Sequence, residues 1–344
     1  MKTRPFLFAR SLAAAWPLAA LLFSAASVVA SDLTMSDPRA PAPAASATDQ
    51  VDALNQTFGP QVKNRAVHAK GIVLEGRFTP APSAAGLSKA PHFRQAVPVT
   101  IRFSDFAGIP TIPDKHPAAS PRGLAIKFHL PGGDTTDLVT HSFNGFPSPT
   151  ADDFRQLMLA LGTSGADTPK PTPLDRYLAV HPVAKHFLES QPPPPVSYGT
   201  IAYYGVNSFQ FTNARGVARF GRYRIVPVGG EQFLSPDEAK AAAPGYLAEE
   251  IRSRVKQGPV RFRFSVQLSG PGDKIDDPSI AWPETRELVL LGEIEVTKAV
   301  DDSDAAEQAL IFIPSAVPAG ITPADPMILV RSAAYPVSYA RRHE

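Results

Sequence analysis

Val260-Arg261-Phe262-Arg263-Phe264-Ser265-Val266-Gln267-Leu268 places an apolar side chain at every second position, with Arg, Ser or Gln between. Successive side chains of a strand point to opposite faces, so this run has one buried and one wet face. A helix would scatter the same residues around its axis. Outward from it the texture repeats. Residues 288–296 continue the sheet, and residues 199–228 are dense in Tyr, Phe and Val. Residues 122–130 read as a strand closed by the turn Pro131-Gly132-Gly133-Asp134. Residues 97–104 and 65–79 read as two more strands, the latter with Gly71 and Gly76 at bends.

Helical signals are fewer. Thr150-Ala151-Asp152-Asp153 reads as a capping box, and Phe154, Leu157 and Leu161 share the face that follows it. Thr322-Pro323-Ala324-Asp325 reads as the start of a terminal helix running toward Arg342. On that helix Arg331 and Tyr335 are four apart, with Tyr339 and Arg342 near the same stripe, while Pro336 removes a backbone hydrogen bond and bends it. The 37 prolines imply short elements joined by stiff connections, and the Pro-rich runs at 169–174 and 192–195 read as such connections. No internal repeat is found.

The chain has 344 residues, 44% hydrophobic and 19% charged, a globular composition. It has no Cys, which excludes disulfides, thiolate metal sites, iron–sulfur clusters and thiol peroxidase chemistry. Lys2, Arg4 and Arg10 precede the apolar run 11–29, and Val28 and Ala30 are the small residues of a cleavage site. Residues 1–30 therefore read as a signal peptide, and the expected location is the periplasm. Without them 31 basic residues face 32 acidic ones, so no basic field argues for nucleic acid, and no other stretch is apolar enough to cross a bilayer. Residues 31–60 read as a flexible N-terminal arm, and 61–344 as one domain.

The His-Glu-x-x-His zinc motif, the phosphate loop, the Gly-x-Ser-x-Gly elbow and the dinucleotide glycine fingerprint are all missing. What remains is a series of short words: Arg65-Ala66-Val67-His68-Ala69-Lys70-Gly71, Arg102-Phe103-Ser104, Arg122-Gly123-Leu124-Ala125-Ile126-Lys127-Phe128, Asp137-Leu138-Val139 and Arg331-Ser332-Ala333-Ala334-Tyr335-Pro336. In this order they resemble the haem catalase family, over about residues 65–342, and the length resembles its small exported catalase-related peroxidases.

The resemblance implies an α+β fold, a closed antiparallel β-barrel with surrounding helices and no C-terminal extension. It implies haem b (iron protoporphyrin IX) between the barrel and the terminal helix, with Tyr335 as axial iron ligand. Iron and a nearby cation favour the phenolate, and Arg331 stands one turn away. His68 matches the acid–base residue on the other side of the haem, and Ser104 the residue that fixes its tautomer. Arg65, Arg102 and Arg342 match the positions that pair with the propionates. Where the family carries an Asn that holds peroxide, this sequence has Ser142, with Asn144 two places on, so weak dismutation is expected.

The implied activity is reduction of hydrogen peroxide or an organic hydroperoxide with a small organic electron donor, by a monomer or homodimer. A hydroperoxide-rearranging isomerase, a non-enzymatic haem carrier and a plain apolar-ligand barrel are the competing readings. Tyr339 stands where a His is common, and nothing in the sequence explains it.

Overall fold

The computed structural model describes residues 45–60 and 62–344. Among these, nine strands form the sheet: β1 (Gly71–Pro80), β2 (Val97–Ser104), β3 (Gly123–His129), β4 (Thr135–His141), β5 (Tyr203–Thr212), β6 (Ala218–Pro227), β7 (Val260–Leu268), β8 (Leu288–Ala299) and β9 (Ile321–Pro323). They pair in the order β4-β3-β2-β1-β8-β7-β6-β5, and β5 returns to β4 through His141 and Tyr204. Eight antiparallel strands thus close a barrel, which removes the exposed sheet edges of an open sheet. β9 adds to the far half of β5.

The alternation along β7 has the expected consequence. Phe262, Phe264 and Val266 are buried in the barrel core with Ile101, Phe103, Leu124, Ile126 and Phe128 from β2 and β3. The intervening positions face outward. On β2, β3 and β4 that outer face is covered, and it forms one wall of the candidate site. Register aligns Arg102 with Ala125 and Val139, and Ser104 with Gly123 and His141, so the outward rows of three neighbouring strands lie side by side.

The helices are α1 (Ala47–Phe58), α2 (Pro82–Leu87), α3 (Ala151–Gly162), α4 (Pro173–Val180), α5 (Pro182–Glu189), α6 (Pro236–Ala241), α7 (Tyr246–Gln257), α8 (Ser303–Ala309) and α9 (Met327–Arg341). A second core joins Val51, Ala53 and Leu54 of α1 to Leu157 and Met158 of α3, Ala184 of α5, and Ala334 and Val337 of α9. This layer is the opposite wall of the site.

Three expectations are corrected. The arm read over 31–60 contains α1, started by a Ser46–Asp49 capping box and packed through buried Val51, Ala53 and Leu54. The Pro-rich composition just upstream concealed its amphipathic pattern; the signal peptide and the rest of the arm, 1–44, lie outside the described residues. The strand read from residue 65 begins at Gly71. Finally, residues 321–323 are β9, and α9 starts at Met327, whose amide is held by the Asp325 carboxylate at 2.9 Å. The Thr-Pro pair that resembles a helix start pairs instead with β5.

Candidate functional site

A cavity of about 200 Å³ lies between the outer face of β2–β4 and the helical layer. His68, Arg102, Ser104, Gly123, Val139 and His141 line it from the barrel side, and Arg331, Tyr335 and Arg342 from the C-terminal segment.

His68 precedes β1 with φ of 56°, a left-handed conformation that a non-glycine residue adopts only under constraint. Here both ends of the residue are pinned. Its N–H donates to the Phe106 carbonyl at 2.7 Å, and its carbonyl accepts from Arg102 Nη2 at 2.8 Å. The ring stands edge-on to Phe106, and its Nδ1 lies 3.0 Å from Ser104 Oγ. Gly123 makes room for this pair: a Cβ there would lie 2.5 Å from Ser104 Oγ and 2.8 Å from His68 Nδ1. Burial, then the charge of Arg102, lowers the His68 pKa to about 3, so the imidazole is neutral at ordinary pH.

On α9, Arg331 Nη2 donates to the Tyr335 hydroxyl at 2.9 Å. Arg331 Nη1 donates to Asn207 Oδ1 at 2.6 Å, and Asn207 Nδ2 to Asp325 Oδ2 at 2.6 Å. Burial raises the Asp325 pKa. The helical i, i+4 spacing brings Arg331 to Tyr335, but Asn207 on β5 and Asp325 ahead of α9 fix where that guanidinium points.

Arg65, Arg102 and Arg342 converge at another part of the cavity. Arg65 pairs with Glu307 of α8, and Arg102 Nε lies 2.7 Å from both carboxylate oxygens of the same Glu307. Arg65 and Arg342 both donate to the Leu310 carbonyl, at 2.7 and 2.6 Å. Burial and the neighbouring Arg102 bring the Arg65 pKa down to about 9, against the pull of Glu307. Arg65 and Arg102 thus share one carboxylate, while Arg342 shares the Leu310 carbonyl with Arg65, and Arg342 Nε is buried without a hydrogen-bond partner.

Two expected site residues are elsewhere. Ser142 lies one residue past His141, so alternation turns it away from the cavity; its Oγ accepts from the Arg122 amide at 2.8 Å. Asn144 donates to Glu284 Oε1 at 2.9 Å, beside Arg224. Of residues 141–144, His141 lines the cavity. Its ring contacts those of Phe146 and Phe187, and both ring nitrogens are buried without a hydrogen-bond partner. Burial, then Arg331, lowers its pKa to about 3. Strand period alone could have found it, since Asp137, Val139 and His141 share a face. Glu307 and Asn207 carried no local signal: each meets its arginine across more than a hundred residues of chain. Tyr339 has a placement, its ring under the Arg342 guanidinium at 4.6 Å.

A planar dicarboxylate cofactor fits these walls. The excess of two cations at the arginine cluster equals the charge of two propionates. Arg331 holds a phenol oxygen, a competent ligand for ferric iron, at the cavity's helical wall. The remaining lining, including Val51, Leu54, Phe146, Phe154 and Phe187, is mostly apolar, with Gln50, Thr140 and Ser338 among it.

Comparison with known proteins agrees. The catalase family model matches residues 43–343. The chain is 37% identical to a catalase-related peroxidase of Mycolicibacterium paratuberculosis, over 85% of this chain and 93% of that protein. It is 34% identical to a catalase-related peroxidase of Synechococcus elongatus, over 86% and 88%. Against Catalase-2 of Bacillus subtilis the identity is 28%, covering 76% of this chain but 41% of that longer protein. A fungal catalase crystal structure shares the fold with a TM-score of 0.72 at 20% identity, covering 85% of this chain and 61% of that one. With the family match spanning nearly all of the described residues, and one cavity lined by an arginine-held tyrosine and a serine-held histidine, the chain belongs to the catalase family, whose cofactor is haem.

Proposed function

We propose that the chain is a haem b peroxidase that reduces hydrogen peroxide or an organic hydroperoxide at the expense of a small organic donor. The observation that carries this reading is one cavity holding the Ser104-oriented His68 and the Arg331-bound Tyr335 together. Bound haem supplies the redox chemistry, accepting oxidising equivalents from the hydroperoxide and passing them to the donor.

The chain's own residues do the rest. Arg65, Arg102 and Arg342 would bind the propionates, and Arg331 would hold the Tyr335 oxygen by its hydrogen bond as the group that ligates the iron. Neutral His68 accepts the proton of the bound hydroperoxide at its free ring nitrogen and returns it to the departing oxygen, so that water or an alcohol leaves. Ser104 keeps the ring in the tautomer and orientation that this shuttle needs. The apolar wall keeps bulk water out and accommodates the organic part of a hydroperoxide. With Ser142 and Asn144 both outside the cavity, dismutation is assigned as a minor activity. The signal-like residues 1–30 support export to the periplasm, and a monomer or homodimer remains the proposed state.

The test follows the products. The haem-loaded protein is given cumene hydroperoxide with a phenolic donor. The reading requires alcohol formed in step with donor oxidised. A rearranged product with no donor consumed makes the chain an isomerase, and tight haem binding with no turnover makes it a carrier.

A further inference from the structure

The peroxidase cycle oxidises a donor, and the residues placed so far serve the haem and the hydroperoxide. Tyr339, which the sequence left unexplained, stands where a donor could be met. It lies one helical turn beyond Tyr335 on α9, about 6 Å along the axis. Its ring meets the Arg342 guanidinium, whose Cζ is 4.6 Å from the ring centroid. Arg342 is itself buried, lines the cavity and belongs to the cluster that fits the propionates. On the solvent side the exposed His343 ring lies 4.3 Å from the Tyr339 ring, and its Nδ1 is 2.7 Å from the Tyr339 carbonyl oxygen. A cavity cation, a phenol ring and a solvent-facing imidazole are thus in contact one after another.

The hydroxyl end of Tyr339 is open. The residue is half-buried, and among the described residues its oxygen is neither hydrogen-bonded nor sealed from water. Other tyrosines lack this combination. Tyr198, Tyr203 and Tyr223 are sealed in the barrel core. Tyr177 and Tyr246 donate their hydroxyls to the Asp153 and Pro195 carbonyls, and Tyr204 packs beside Arg224, outside the cavity lining. The cation against the Tyr339 ring resists the loss of an electron alone, because that would place a second positive charge beside it. A phenol that loses its proton together with the electron stays neutral, so Arg342 does not oppose that step.

Resting on the haem-peroxidase reading, we propose that Tyr339 is the site at which a small phenolic donor is oxidised, a reaction point outside the haem cavity. Tyr339 passes one electron to the oxidised haem and its hydroxyl proton to water, and becomes a neutral phenoxyl radical. A donor phenol at the exposed end of α9 returns a hydrogen atom: the O–H bond of Tyr339 re-forms as that of the donor breaks, and the donor leaves as a radical. Two rounds return the two electrons that one hydroperoxide removed, and the two protons released are consumed in making water. One hydroperoxide and two phenols thus give one alcohol, one water and two donor radicals. The Tyr339 and His343 rings offer the aromatic surface against which such a donor stacks.

The experiment uses the haem-loaded chain as wild type, as wild type carrying ring-deuterated tyrosine, and as Tyr339→Phe, which keeps the ring under Arg342 and removes the hydroxyl. Freeze-quenched after cumene hydroperoxide without donor, wild type should give a tyrosyl electron paramagnetic resonance signal that narrows on deuteration, and Tyr339→Phe should lack it. With guaiacol as donor, Tyr339→Phe should lose most donor turnover, while its first spectral response to the hydroperoxide keeps the wild-type rate. A tyrosyl signal that persists in Tyr339→Phe overturns the assignment, and so does unimpaired guaiacol turnover in that variant. If Tyr339→Phe does not retain haem, spin-trap labelling of the wild type decides: an adduct mapped to Tyr339 by mass spectrometry supports the site, and adducts confined to other residues overturn it. A wild type that binds haem but oxidises no donor overturns the peroxidase reading itself, and this assignment with it.

Discussion

Gly123→Ala adds a single methyl group at the point where the two members of the proton shuttle meet. The glycine is an ordinary strand residue, opposite Ser104 and His141 in an antiparallel ladder, so alanine brings no backbone strain. Its Cβ would stand 2.5 Å from Ser104 Oγ, 2.8 Å from His68 Nδ1 and 3.0 Å from His68 Cε1. Ordinary contact is about 3.5 Å, so the pair must retreat by roughly 0.7 to 1 Å. His68 cannot follow easily, because Phe106 and Arg102 pin its backbone at both ends. The 3.0 Å contact between Nδ1 and Ser104 Oγ is therefore lost or the ring is tilted. A misplacement of about 1 Å costs roughly 10²-fold in rate. The variant should keep its haem and its fold but show about a hundredfold slower spectral response to peroxide in stopped flow. A wild-type rate, with haem retained and the added methyl group seen in a crystal structure of the variant, refutes the claim that the His68–Ser104 geometry limits the reaction.

His68→Ala should retain haem and lose about 10²–10⁴-fold in peroxide turnover, the usual worth of a positioned acid–base group; a small loss in steady-state assays places the shuttle elsewhere. Ser142→Asn should leave the ratio of oxygen evolved to donor oxidised unchanged, because that side chain bonds the Arg122 amide outside the cavity, and a rise in oxygen evolution contradicts its placement. Acid should unfold the haem-free chain early. His68, His92 and His141 titrate near 3 in the fold and near 6.5 when unfolded, so the unfolded chain binds more protons in that window and stability falls as pH drops through it. Asp105, Asp137 and Asp325, all raised mainly by burial, oppose this in part. Urea midpoints read across the window should show the loss, and replacing one of the three histidines by Gln should reduce it; a slope that the substitution leaves unchanged contradicts the buried neutral imidazoles.

Much of the barrel was legible because its strands are half-buried and therefore alternate. β2, β3 and β7 lie within a residue of where period and turn chemistry put them. Arg102 and Ser104 share the cavity face because strand positions two apart must. The failures are equally physical. Residues 65–70 carry β-forming character, yet His68 is held at positive φ by long-range hydrogen bonds that no local pattern encodes. The helix that begins at Ala47 was masked by the prolines before it. The Asn-like position was assigned by matching words, which cannot resolve a shift of one residue; the pleat can, because one residue reverses the face, and it puts His141 inward and Ser142 outward. Glu307, Asn207 and Asp325 act on their arginines from distant segments, so they become visible only when the barrel and α9 are brought together.

The central claim is that Tyr335, held by Arg331, is the group through which this chain grips its haem. It is tested most directly by the electronic absorption and electron paramagnetic resonance spectra of the purified ferric protein beside those of Tyr335→Phe, which removes one oxygen and preserves the ring. The account predicts a phenolate-ligated ferric haem in the wild type, and in the variant either loss of the haem or a changed axial ligand. A variant that holds haem with the same affinity and an unaltered phenolate spectrum contradicts it.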